Sequence, residues 1–141
     1  MKIFIKNKKA FTLVETLVAI SIFTMAILGL MSILSKGVTD TSYAKQKMTA
    51  SYLAQDGIEY VRNLRDTDVL YTETTSKNWT TFINELTAGI SYPSPDPIFT
   101  RTITWVSVSA TEVKIISTVS WNQGSGPHSV VFSESLHNWV E

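Results

Sequence analysis

Twenty consecutive residues, Thr16 to Ser35 (TLVAISIFTMAILGLMSILS), carry no charged side chain, and twelve of them are Leu, Ile, Val, Met or Phe. As an α-helix rising about 1.5 Å per residue, such a run spans roughly 30 Å, the depth of a bilayer's hydrocarbon core. Each Leu, Ile, Val or Phe favours insertion by roughly 0.3 to 0.6 kcal/mol, which sums to several kcal/mol over the segment. The run is too long and too evenly apolar for the core helix of a soluble domain. A cleaved secretory signal would end in a small-x-small site. Leu34-Ser35-Lys36-Gly37 is a poor match to one, so the segment reads as a retained membrane helix.

Charge gives this helix a direction. The chain has 12 Lys and Arg and 12 Asp and Glu, but Lys2, Lys6, Lys8 and Lys9 all precede the apolar run with no acidic residue among them. The positive-inside tendency keeps that leader in the cytoplasm and puts the residues after about 36 outside. The remaining basic residues are scattered, so no nucleic-acid partner is expected. Cysteine is absent, which excludes a disulfide framework, a thiolate zinc site and a cysteine nucleophile.

A carboxylate stands at the start of the apolar run. Glu15 at membrane depth is unfavourable unless paired or protonated, and such residues mark function by default. A local reading is equally open. Thr12-Leu13-Val14-Glu15 has capping-box spacing, and an acidic side chain there meets the positive end of the helix dipole.

Lys8-Lys9-Ala10-Phe11-Thr12-Leu13-Val14-Glu15, followed by the apolar helix, resembles the processing motif of type IV prepilins and of the pseudopilins of type II secretion systems. The resemblance covers residues 8 to about 34. It implies that a prepilin peptidase cuts between Ala10 and Phe11, that Phe11 becomes N-methylphenylalanine, and that Glu15 recruits the subunit into a filament. It also implies other pilin or pseudopilin subunits, the lipid bilayer and an inner-membrane assembly platform as partners. The physical logic is that cleavage frees an amine that can neutralise Glu15 of a neighbouring subunit, an interaction stronger near hydrocarbon than in water. Two departures stand out. Ala10 occupies a place where that family usually has Gly, and Ser32 one where major pilins often have Pro.

Beyond the membrane segment, Lys36 to Ser42 is a patch of weak helix formers, either a hinge or a tolerated weak stretch. Helical spacing resumes at Ala50, Leu53, Ala54, Gly57, Ile58, Val61 and Leu64, and the small residues allow a close approach by a sheet or another helix. A helix continuous from Phe11 to Leu64 would reach about 80 Å. Residues 66 to 77 lack a period and read as loop. Trp79, Phe82, Ile83 and Leu86 predict a short helix with Asn78 as N-cap and Gly89 as stop. Three prolines make Ser91 to Pro97 an extended connector. Phe99–Ser109, Glu112–Trp121 and Ser129–Leu136 then read as strands of an antiparallel meander, with 122–127 as a turn. Their expected core is Ile103, Trp105, Val113, Ile115, Val119, Trp121, Val130 and Phe132.

The expected fold is α+β and pilin-like: a long N-terminal helix, membrane-spanning in its first half, packed on a small antiparallel sheet. The division is a leader (1–10), an assembly helix (11–35), an amphipathic continuation (36–65) and a head (66–141). No metal, cofactor or catalytic residue is expected. His128 and His137 lack a carboxylate at ligand spacing, and no phosphate loop or nucleophile elbow occurs. Asp56 with Glu59 and Asp66 with Asp68 read as solvated acidic pairs, and the four tryptophans as packing or, more sharply, as a carbohydrate platform. The expectation is a non-enzymatic minor pilin or pseudopilin, held in the inner membrane before joining a pilus or envelope-spanning filament. The competing reading is a bitopic binding or sensor protein that keeps its leader.

Overall fold

Thr12 starts the first helix in the way its side chain predicts: its Oγ1 accepts from the Glu15 amide at 3.3 Å and its carbonyl from the Thr16 amide at 3.2 Å. The computed structural model describes residues 11–70, 77–124 and 126–139. Helix α1 runs without interruption over Leu13–Leu70. The chain divides into two compact units, Met1–Thr41 and Ser42–Glu141.

In the first unit, every large apolar side chain from Phe11 to Leu34 is exposed, from 40% at Ile27 to 79% at Leu13. This is the one helix among the described residues long and apolar enough to cross a membrane, and its most apolar stretch buries nothing within the chain. Residues 36–42 are helical. Thr39 Oγ1 donates to the Ser35 carbonyl at 3.0 Å and Thr41 Oγ1 to the Gly37 carbonyl at 2.8 Å, so their hydroxyls find partners without leaving the helix.

In the second unit, α1 continues against a three-stranded antiparallel sheet of order β1-β2-β3, formed by β1 (Phe99–Ser109), β2 (Glu112–Gln123) and β3 (Gly126–His137). The register places Phe99 opposite Trp121, Trp105 opposite Ile115, and Val113 opposite Leu136. Alternation does the rest, turning Val113, Ile115, Ser117, Val119 and Trp121 toward the helix. Two apolar clusters result. Ile58, Val61, Phe82, Leu86, Val113, Ile115 and Leu136 form one, and Ala50, Ala54, Phe99, Val119 and Trp121 the other. Helix α2 (Trp79–Ala88) closes the first cluster. Asn78 caps it, Oδ1 accepting from Thr81 N at 3.1 Å, and Gly89 ends it at φ +97°.

Gly57 is required by close approach. A Cβ there would lie 2.6 Å from Ser117 Oγ and 3.1 Å from Arg101 Cδ, so only a bare Cα lets the helix sit this near the sheet.

Three expectations need correction. Residues 66–70 are helical, because Asp68 and Val69 are buried against the unit and Arg65 just before them is too; residues 71–76 lie outside the described ones. The 122–127 turn is tighter than expected: Gln123 pairs with Gly126 and Asn122 with Pro127, with Gly124 at φ +56°. Pro127 is tolerated because β3 is an edge strand. Of the expected core, Val113, Ile115, Val119 and Trp121 are buried, and Ile103, Trp105 and Val130 pack against them half-buried. Phe132 is 36% exposed, whereas Leu136 on the same strand is buried.

Candidate assembly segment at the start of the first helix

The junction expected to be processed has one residue on each side of the described boundary. Ala10 lies outside the described residues, and Phe11 is 78% exposed, immediately before the capping residue Thr12. Glu15 sits in the first turn of α1, where the helix dipole favours a negative group. Half of the capping box is formed, with Thr12 accepting from the Glu15 amide. The Glu15 carboxylate itself is exposed and makes no hydrogen bond or ion pair with any described residue.

Three hydroxyls of this segment are satisfied locally. Thr16 Oγ1 donates to the Leu13 carbonyl at 2.8 Å, Ser21 Oγ to that of Val18 at 2.8 Å, and Thr24 Oγ1 to that of Ser21 at 2.9 Å. Glu15 is the one charged side chain at the apolar stretch, and it has no partner among the described residues.

In the head, the acidic pairs singled out in the sequence face cations rather than each other. Asp56 meets Arg101 at 2.6 Å, Asp66 meets Arg65 at 2.5 Å, Asp68 meets Lys77 at 3.1 Å, and Glu59 meets Arg62. The Arg62 guanidinium is held above its ordinary pKa by donating to Glu134, and the Lys77 ammonium above its own by donating to Glu85 and Asp68. His128 packs between Tyr43 and Trp121, at 4.9 and 5.5 Å between ring centres, while His137 approaches Glu112 at 4.0 Å. Among the described residues no group of three or more His, Asp or Glu is placed to hold a metal ion.

Trp79 and Trp105 donate their indole N–H groups to the carbonyls of Ala110 and Leu86, and Trp121 is buried. Trp139 is 63% exposed, with the Arg65 guanidinium 4.9 Å from its ring centre.

Residues 5–31 match the family model described as the prokaryotic N-terminal methylation motif. The chain carries that methylation motif. It is the signature of type IV pilins and pseudopilins, and it falls on the cap, the carboxylate and the apolar helix just described. The methylation motif implies processing by a prepilin peptidase and assembly with other pilin subunits, and it marks structural rather than enzymatic proteins. Together with the long apolar helix it fits a membrane-anchored precursor. Neither the comparison with curated proteins nor that with solved structures found a match.

Proposed function

We propose that this chain is a minor pilin or pseudopilin, a non-catalytic subunit of a pilus or pilus-like filament. In this reading residues 1–10 are a cytoplasmic leader, 11–35 the membrane and assembly helix, 36 onward its continuation, and the remainder an extracytoplasmic head. Prepilin peptidase cuts between Ala10 and Phe11 and methylates the new amine of Phe11. An inner-membrane platform then moves the subunit from the bilayer into the filament, where the amine of a neighbouring subunit neutralises Glu15.

The observation that carries the reading is the Glu15 carboxylate, a lone charge at the start of an apolar helix and without a partner among the described residues. An unpaired charge there is costly, and a cation brought by another subunit removes the penalty. The absence of Pro before Pro93 sets this helix apart from the usual major-subunit pattern and favours a low-abundance role.

Intact mass and N-terminal sequencing of the protein from cells with an active prepilin peptidase should show loss of residues 1–10 and a methylated Phe11. A chain still beginning at Met1 would leave the bitopic alternative standing. Glu15→Gln should insert and be cleaved normally, yet enter filaments at a fraction of the wild-type level. Normal incorporation, measured by immunoblot of sheared or purified filaments, refutes the role of Glu15.

A further inference from the structure

Asn78 opens a tripeptide, Asn78-Trp79-Thr80, in which a middle residue other than proline separates an asparagine from a hydroxyl. Of the six asparagines in the chain it alone has Ser or Thr two places on. The fold sorts the three side chains. Trp79 turns inward: its ring packs on that of Phe82 at 5.3 Å between centres, and its indole N–H donates to the Ala110 carbonyl at 3.0 Å. Asn78 and Thr80, on either side of it, are exposed. As the N-cap of α2, Asn78 has an extended backbone at φ −153° and ψ −177°. Its Oδ1 accepts from Thr81 N at 3.1 Å and from Thr81 Oγ1 at 3.4 Å. The oxygen of the side-chain amide is thereby used, and its Nδ2 donates to no described residue. The Thr80 hydroxyl likewise has no partner among the described residues, whereas that of Thr87, later in the same helix, returns to the Ile83 carbonyl at 2.8 Å.

We propose that Asn78 is an N-glycosylation site, taking its sugar from a lipid-linked donor on the outer side of the membrane. An asparagine with a hydroxyl two residues on is the acceptor pattern for this modification, which needs a surface position in an exported protein. In the transfer, a bond forms between Asn78 Nδ2 and the anomeric carbon of a polyprenyl diphosphate sugar. The bond from that carbon to the phosphate oxygen breaks, the diphosphate leaves with the electron pair, and Nδ2 gives one proton to a base of the transferase. Nothing is oxidised or reduced. The product keeps Oδ1 as an acceptor, so the glycan and the cap on Thr81 N coexist. Trp79, the bulky residue between the two reacting positions, is anchored inward and leaves the approach to both of them open. The proposal rests on the head lying outside the membrane, a placement that the filament reading and the bitopic alternative share, and not on removal of the leader.

The test is mass spectrometry of the protein purified from the cells that make it. Trypsin cuts after Lys77 and Arg101, so a single peptide, 78–101, holds the whole site. The expected result is that peptide carrying a glycan mass, with electron-transfer fragments placing it on the side-chain nitrogen of Asn78. Thr80→Ala should abolish the added mass and Thr80→Ser should retain it, and both leave Asn78 and its bond to Thr81 in place. A bare peptide in the unsubstituted protein, a sugar carried on a Ser or Thr oxygen instead, or a glycan that survives Thr80→Ala overturns the proposal. Protease added to spheroplasts separates this result from the topology. A head digested from outside with a bare Asn78 overturns the glycan alone, and a protected head with a bare Asn78 overturns the outside placement with it.

Discussion

Arg101 occupies an inward position of β1 between Phe99 and Ile103, where alternation calls for an apolar side chain. Its side chain is 1% exposed, and it donates to Asp56, to the Leu53 carbonyl and to the connector carbonyls of Tyr92 and Pro93. Arg101→Met would keep much of the volume but leave those acceptors and Asp56 without their donor. A loss of about 3 kcal/mol is expected, read from denaturant unfolding of the full chain in detergent micelles. The sequence carries a signal for this residue. The strand reading Phe99, Arg101, Ile103, Trp105 places one charge in an inward row, and a buried arginine must find carbonyls or a carboxylate. What no pattern could supply is where those acceptors lie, since Leu53 and Asp56 come from α1, more than forty residues earlier. Glu15 was legible for the opposite reason: its whole environment is local.

At the scale of elements, helix and sheet meet at a point of contact that allows no extra atom. Gly57→Ala gains helix propensity but drives a methyl group into Ser117 Oγ, and a net loss of about 1 to 2 kcal/mol is expected. Ser117 Oγ is buried with no hydrogen-bond partner among the described residues, so Ser117→Ala alone should be close to neutral. The double variant should recover most or all of the Gly57→Ala loss, and a double-mutant cycle by thermal unfolding that shows simple additivity would contradict this packing. The small residues Ala50, Ala54 and Gly57 announced the close approach in advance. The end of α1 was less visible: Asp66, Thr67, Asp68 and Val69 are weak helix formers, and burial against the head, which no local window reports, holds them helical. Phe132 shows the converse limit of patterning. Alternation assigns it a side of the sheet but cannot tell how far along the strand that side is covered, as Leu136 on the same strand is 1% exposed.

For the whole molecule, the division at Thr41–Ser42 separates a segment that buries nothing from one whose two clusters lie entirely within it. A chain beginning at Ser42 should therefore fold alone in water. Cooperative thermal unfolding with tryptophan side chains fixed in near-ultraviolet dichroism would verify this, and a molten state would contradict it. The hydroxyls of Thr16, Ser21 and Thr24, each returned to its own helix's carbonyls, have a mechanical consequence for any bundle such helices form. Apart from the hydroxyls of Ser32 and Ser35, their flanks would offer neighbours greasy, interchangeable contacts, with a single ionic peg near one end. Sliding along the bundle would be blocked by that peg while swivelling about the long axis would stay easy, giving a rod of fixed rise and compliant twist.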